Sequence, residues 1–404
     1  MRPWQAIVLI ILLALFAISS GWHVLYILTY VLLCLLIISW LWARYSLRKM
    51  VFRRSATSGR VQVGETFDER LMLDNVSSLP KLWVQIADGS NLPGHRAGFV
   101  ASMGGRKRAT WRARTVCKQR GRFQLGPVVA TSGDPFGLFR RRIVLTDQRD
   151  LLVLPRVLPI TNFVLFSGGL PGRGRTSRRA LQNTTNATTI RDYMAGDALN
   201  RIHWRSSAHN NKLMVKEFDL DPAMDAWIIL DLHEETQAGE GEHSTEEYGV
   251  TIAASIANFL LRQDLSLGMI INAGQREFLS LDRGDRQIER MLELLAVVSA
   301  GDGPDLKESL ALDAFHFGRN TMAIIITAST SRDWHDGVRH LQRRGVQVAV
   351  VGLDAASFDE NIQQDEDTLA LLEGANIPVL RVKSGSSISE ALEKDPESRF
   401  ALRR

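Results

Sequence analysis

From Pro3 to Ala43 the chain carries no formally charged side chain. No other feature restricts its fold as strongly. Two apolar runs, Trp4–Ile18 and Val24–Trp42, are split by Ser19-Ser20-Gly21-Trp22-His23. A hydrocarbon core takes about 20 helical residues, so residues 1–43 are expected to form two transmembrane helices joined at the interface. Trp4, Trp22, Trp40 and Trp42 stand at the run ends, where amphipathic rings favour the headgroup level. The first run is short: it borrows Trp4, Ser19 and Ser20 to cross, or else it is re-entrant. A cleaved signal peptide is its rival reading, but no small-x-small cleavage pattern follows and a second apolar run comes at once.

Charge then sets an orientation. Arg44, Arg48, Lys49, Arg53, Arg54 and Arg60 follow the second run with no acidic residue among them, Arg2 precedes the first run, and the turn holds only His23. The positive-inside rule predicts a two-pass protein of the cell (inner) membrane, with both termini and the bulk of the chain cytoplasmic. Residues 44–60 read as a basic juxtamembrane linker. It should attract anionic membrane lipids by about 1 kcal/mol per cation. Two cysteines, Cys34 and Cys117, are too few for a disulfide framework and fit a reducing compartment. The chain is also polarised along its length. Residues 1–216 carry 32 Lys+Arg against 10 Asp+Glu, whereas residues 217–404 carry 17 against 34.

Residues 61–165 show no long helical period. Short candidate strands (60–63, 67–74, 82–86, 109–117, 121–125, 128–131, 138–144 and 151–154) are punctuated by Pro80, Pro93-Gly94, Gly104-Gly105, Gly126-Pro127 and Asp134-Pro135. That spacing predicts a small antiparallel β-sandwich-like module. Between Gly89 and Arg142 there are 12 Lys+Arg and one acidic residue, Asp134. Trp111 lies among Arg106, Lys107, Arg108, Arg112 and Arg114, which admits a nucleic-acid reading. A solvated face held against anionic lipid by the preceding anchor is favoured, and no nucleic acid is expected. In Asp134-Pro135-Phe136-Gly137-Leu138-Phe139-Arg140 the Pro and Gly predict a turn whose two Phe rings anchor it in the core.

Residues 166–224 begin with the basic, Gly-rich stretch 168–179, which lacks a GxxxxGK[ST] pattern and reads as a flexible loop. The densest motif follows: Arg191, Tyr193, Gly196, Asp197, Arg201 and Trp204 within Ile190–Ala208, then Lys212–Phe218. Asp197 is the expected N-cap of a helix over 198–208, and 213–218 the expected strand. His203 has the chemistry of a base, but no Ser-His-Asp or Cys-His order accompanies it, so the motif reads as structural or docking rather than catalytic.

The spacing R-x-Y-x-x-G-D-x-x-x-R-x-x-W-x-x-x-A, with the Lys212–Phe218 continuation, resembles the signature of the bacterial "domain of unknown function 58" family. Arg120–Pro127, Asp134–Phe139 and the opening hairpin are similar to that family too. The resemblance implies a membrane-anchored protein with a von Willebrand factor A-like domain and a MoxR-type AAA+ ATPase as partner.

Residues 225–395 alternate strand and helix independently of that resemblance. Expected strands lie at 226–232, 265–272, 277–281, 322–327, 346–352 and 379–382, with helices at 245–263, 285–300, 333–344, 368–372 and 388–393. This predicts a doubly wound α/β sheet, with residues 396–404 as a tail. Ligands on such sheets bind at the carboxyl ends of strands, which points to Asp231-Leu232-His233-Glu234-Glu235 and Thr327-Ala328-Ser329. The resemblance implies Mg²⁺ bound there through a D-x-S-x-S loop. Here His233 and Glu235 stand where the two serines would. Asp231, His233 and Glu235 together suit a borderline divalent metal, but a metal-free docking surface is the favoured reading. Acidic segments at 239–247 and 363–367 would give this half a surface for a basic partner. The expected function is a membrane-anchored interaction or scaffold protein without enzymatic activity or cofactor, assisting assembly or maturation of other proteins. A metal-dependent adhesion module centred on Asp231, and an enzyme of unknown reaction at the strand ends, are the alternatives.

Overall fold

In the computed structural model the described residues are 3–56, 58–161, 163, 189–193, 202–217, 225–318, 321–359, 362 and 368–393. The chain divides into two compact units, Met1–Leu154 and Pro155–Arg404. That boundary falls about ten residues before the expected end of the β-rich module, because strand pairing stops at Leu154.

The first unit opens with helices α1 (Pro3–Ser20) and α2 (His23–Ser46), which pack on each other. Both are long and apolar enough to cross a membrane by length and composition. Gly21, at φ 68°, makes the turn between them in a backbone region that a side chain would strain. The expected linker does not run free. It contains β1 (Met50–Ala56), whose alternating burial sends Met50, Phe52 and Arg54 inward.

Strands β2 (Arg60–Gln62), β3 (Thr66–Asn75), β4 (Lys81–Asp88), β5 (Phe99–Met103), β6 (Arg108–Val116), β7 (Gly121–Leu125), β8 (Val128–Gly133), β9 (Arg140–Leu145) and β10 (Arg149–Leu154) follow. They form sheets β1-β3-β6, β5-β4-β8-β9 and β2-β10-β7. All pairs are antiparallel except β2–β10. Phe52, Leu71, Leu73 and Ala113 from the first sheet share one core with Val84, Ile86, Met103, Val128 and Ala130 from the second. The period-2 pattern of β6 turns Arg108, Arg112 and Arg114 outward. Trp111 is not free to stack on a base, since its indole N–H donates to the Ala97 carbonyl at 3.0 Å and its ring packs against Phe52.

The second unit contains a two-stranded ribbon, β11 (Thr189–Asp192) with β12 (Met214–Glu217), and the short helix α3 (Trp204–Asn210). Its main body is a six-stranded sheet. The strands are β13 (Asp225–Asp231), β14 (Ser266–Asn272), β15 (Glu277–Asp282), β16 (Thr321–Thr327), β17 (Gln347–Leu353) and β18 (Val379–Val382), in the order β15-β14-β13-β16-β17-β18. Only the β14–β15 pair is antiparallel. The central strands β13 and β16 are buried almost throughout, which explains their near-continuous apolar sequence.

Helices α4 (Thr245–Arg262), α5 (Asp285–Val297), α6 (Leu306–Asp313), α7 (His335–Arg343), α8 (Ala355–Phe358), α9 (Thr368–Gly374) and α10 (Ile388–Glu393) complete the unit. Trp227, Ile229, Ala323 and Ile325 face a core that includes Leu310 of α6, Val338 and Leu341 of α7 and Leu372 of α9. Leu230 and Ile326, one residue out of phase, meet α4 at Gly249. Helices therefore cover both faces of the sheet. Strands β1, β5 and β11 and helices α6 and α8 are not among the elements expected from the sequence.

Candidate functional site

In the order β15-β14-β13-β16-β17-β18 the chain direction of strand addition reverses between β13 and β16. A sheet of this kind opens a crevice at the carboxyl ends of those two strands. Asp231 ends β13 and Thr327 ends β16, so the two residues come from the strands that flank the reversal. Both are buried. The Thr327 hydroxyl donates to Asp231 Oδ2 at 2.6 Å, and the His233 backbone N–H donates to Oδ1 at 3.2 Å. Burial pushes the Asp231 carboxyl above the ordinary carboxylate range, and these two donors only partly offset it.

The loop after β13 is fixed by its own side chains. Gln237 Nε2 donates to the Asp231 carbonyl at 3.3 Å, and the Thr245 hydroxyl donates to Gln237 Oε1 at 2.8 Å. His233 forms a bridge with Gly301, and Glu234 N–H donates to the Gly301 carbonyl at 3.1 Å. That pairing sets Glu234 and Glu235 beside the loop carrying Asp302 and Asp305, and all four are exposed. The rim of the crevice is therefore acidic. On its β14 side, Ser309 donates to Asn272 Oδ1 at 2.6 Å and Asp313 is ion-paired with Arg276.

Asp231, His233 and Glu235 do not converge as a metal triad. Among the described residues, their ligand atoms are not gathered within 4.8 Å of one another. The Glu235 side chain is 90% exposed and lies 3.9 Å from His233 Nε2. Both Asp231 oxygens already accept hydrogen bonds. Histidine and glutamate also replace the hydroxyls that would leave a hard cation electrophilic. The donor set therefore does not fit the implied Mg²⁺ site.

The signature motif is only partly within the described residues: Gly196, Asp197 and Arg201 lie outside them. The backbone of Arg191 pairs with Val215 in the β11–β12 ribbon, and Tyr193 N–H donates to the Leu213 carbonyl at 2.8 Å. Helix α3 begins later than the expected 198–208, and His203 is its N-cap: Nδ1 accepts from Ser206 N–H at 3.2 Å. Its Nδ1 is also 2.7 Å from the Ser206 hydroxyl, so His203 serves as a local cap. Ile202 and Val215 are buried against each other, while Trp204 is 68% exposed at the head of α3. The basic stretch 168–179 and the acidic stretch 363–367 lie outside the described residues.

A second cluster, in the β-rich unit, has no counterpart among the sequence motifs. Arg54 of β1, Glu69 of β3, Asp88 at the end of β4 and His95 in the following loop are fully or almost fully buried. Arg54 Nε lies 3.2 Å from Glu69, and its terminal nitrogen lies 2.6 Å from Asp88. His95 Nε2 lies 3.0 Å from Glu69 and 3.3 Å from Asp88, and its Nδ1 lies 2.9 Å from the Thr115 hydroxyl. Burial alone would lower the His95 pKa, but its hydrogen bonds and charge pairing with Asp88 and Glu69 prevail and raise it to about 9. Glu69, Asp88 and His95 are the one set of three or more possible metal ligands gathered among the described residues. Two cations already balance two anions there, so the cluster suits an internal ion network better than a further cation. No spacing motif could have revealed it, because its members come from paired strands β1 and β3, from β4 of the other sheet and from a loop, brought together only when the sheets pack.

Comparison with known proteins agrees with the motif. Residues 189–360 match the family model "Protein of unknown function DUF58". The uncharacterized protein YeaD of Bacillus subtilis is 22% identical over 304 residues, covering 73% of this chain and 74% of YeaD. Similarity to solved structures is slight. The CARDB domain of a Pyrococcus furiosus protein is 12% identical, covering 26% of this chain and 91% of that domain at a TM-score of 0.20. Proximal thread matrix protein 1 from the mussel byssus is 12% identical, covering 42% of this chain and 46% of that one at a TM-score of 0.30. The signature motif lies inside the matched segment and a relative aligns along most of both chains, so residues 189–360 are a DUF58 segment.

Proposed function

We propose that this chain is a membrane-anchored interaction protein. Helices α1 and α2 tether it, with the remainder of the chain on the cytoplasmic side. The first unit is a sandwich-like spacer at the lipid surface, and the second is a von Willebrand A-like recognition domain. The reading of that domain draws support from the strand order, the antiparallel edge strand and helices on both faces.

One observation carries the docking role: Asp231 and Thr327 meet at the strand reversal under an acidic rim. Exposed carboxylates around a crevice favour a partner with a basic surface, and buried Asp231 with its donors holds the rim loops in place. The family resemblance suggests a MoxR-type AAA+ ATPase as that partner, acting in assembly or maturation of other proteins. In this reading the strand ends bind without catalysing, because hydroxyl, amide and carboxylate groups there pair with one another rather than forming a nucleophile–base relay.

The test is a native pull-down from membranes with the full chain and with Glu234, Glu235, Asp302 and Asp305 all changed to Ser. An ATPase recovered with the native chain and lost with the variant supports the reading. Equal recovery from both would refute the placement of the docking face.

A further inference from the structure

The end of the β-rich unit that receives α2 has features of a lipid-contact surface. Met50, four residues after α2, pairs with Asn75 at the end of β3. Asp74 pairs with Arg108 at the start of β6, and Lys81 at the start of β4 pairs with Met103 at the end of β5. Gly133 at the end of β8 pairs with Arg140 at the start of β9. Register therefore places the β3–β4, β5–β6 and β8–β9 turns at one end of the unit, the end where α2 arrives. Two contacts fix this arrangement. Lys81 Nζ donates to the Tyr45 carbonyl at 2.9 Å, and the Arg141 guanidinium donates to the Arg44 carbonyl at 2.8 Å.

The tips of two of these turns are apolar and exposed. Phe136 is 59% exposed at the head of the β8–β9 turn, and Val76 and Leu79 are exposed in the β3–β4 turn. This corrects, for Phe136, the expectation that the turn's two Phe rings anchor it in the core; Phe139 is half-buried. Asp134 is the buried anchor instead, accepting from the Phe136 N–H at 3.0 Å and the Phe139 N–H at 2.6 Å. Gly137 adopts φ 72° to complete the turn. A turn whose polar residue is buried and whose aromatic ring points outward is stable while presenting apolar surface.

Cations surround these tips. Arg140, Arg141 and Arg142 are exposed on β9, and Arg106 and Lys107 are exposed on the β5–β6 turn. On the adjoining helix the Arg44 guanidinium lies 5.8 Å from the centre of the Trp40 ring. Aromatic and aliphatic tips ringed by Arg and Lys match the chemistry of an anionic leaflet, with acyl chains for the tips and phosphates for the cations.

We infer that the α2-proximal end of the β-rich unit binds the bilayer directly. Phe136 and Leu79 enter the interface, and Arg140–Arg142 with Lys107 engage anionic headgroups. This rests on the reading of α1 and α2 as membrane spans, and it adds a second, peripheral attachment to them.

The full chain, with Cys34→Ala and Cys117→Ser, is labelled with an environment-sensitive fluorophore at Phe136→Cys, Leu79→Cys or Gln148→Cys. It is then reconstituted into phosphatidylcholine vesicles with or without phosphatidylglycerol. Gln148, past the opposite end of β9, is the control. Labels at 136 and 79 should shift to the blue and be quenched by nitroxide lipids, more so with phosphatidylglycerol, while the label at 148 does neither. Vesicle flotation separates the two readings. Chain that floats with labels at 136 and 79 as water-exposed as at 148 refutes the inference and leaves the anchor standing. A blue shift without nitroxide quenching assigns the patch to a protein contact and also refutes it. Chain that does not float refutes the anchor itself.

Discussion

Lys81 Nζ donates a 2.9 Å hydrogen bond to the carbonyl oxygen of Tyr45 in the last turn of α2. That carbonyl also accepts from the Arg48 N–H at 3.2 Å, so Lys81 adds a contact from the β-rich unit to the turn that closes α2. The Lys81 side chain is buried, and burial lowers its pKa. A lysine whose folded-state pKa is depressed opposes folding while both states are protonated. That penalty fades as pH rises from its folded pKa towards 10.5. Lys81→Met should abolish this alkaline gain in stability. Near neutral pH the lost hydrogen bond, about 1 kcal/mol, is offset by relief of that penalty, so the variant should stay within about 1 kcal/mol of the native chain. Chemical unfolding in detergent at a series of pH values measures both effects.

The Arg54–Glu69–Asp88–His95 network predicts the opposite slope. A His95 pKa raised to about 9 contributes stability that is fully present below 6.5 and is lost as pH rises through about 9. The contribution is on the order of 3 kcal/mol. His95→Gln should flatten the stability profile between pH 6.5 and 9. Glu69→Gln leaves Arg54 short of a partner and should cost roughly 3 kcal/mol at pH 7. A Glu69→Gln chain as stable as the native one would show that the network contributes little.

At the strand reversal the native residue is expected to favour function over stability. Burial raises the Asp231 pKa, so the ionised carboxylate opposes folding, and stability falls as pH rises from 3.8 through the folded pKa. Asp231→Asn keeps an acceptor for Thr327 and removes the charge. It should stabilise the chain at pH 7 by on the order of 1 kcal/mol and lose that advantage near pH 4. Partner recovery should fall in the same variant. Thermal melts with a parallel pull-down provide the check.

Trp204 is exposed at the head of α3, inside the signature motif. Exposed substitutions outside special sites change stability by about 0.5 kcal/mol or less. Trp204→Ala should therefore leave the unfolding midpoint near native while reducing partner capture. Unchanged capture would confine the Trp to a local structural role.

Gly268 of β14 has Trp227 of β13 lying across it, and an added Cβ would sit 2.5 Å from the indole. Gly268→Ala should destabilise the second unit by about 1–3 kcal/mol through overpacking. Loss of the cooperative transition is the outcome to look for by calorimetry.

Local signals were enough for the two apolar helices, the α/β alternation after residue 225 and the family motif. Each is carried by periodicity or by fixed spacing along the chain. Asp231 was also legible, because an apolar run ending in a carboxylate marks the end of a buried parallel strand. Other features depend on residues far apart in sequence. Arg54 and His95 each look like an ordinary surface residue until β1 pairs with β3 and the sheet holding β4 packs against them. Phe136 looks like a core residue until Asp134 takes the buried place beneath the turn. Glu235 looks like a partner for Asp231 until the His233–Gly301 bridge fixes the loop with that carboxylate in solvent. Sequence determined most of the helices and strands and which two helices are apolar and long enough to cross a membrane, because those features follow from hydrophobic period and length. Tertiary structure alone decided which charges are buried together and which apolar tips stay exposed, because burial depends on the register of strands that the sequence separates by tens of residues.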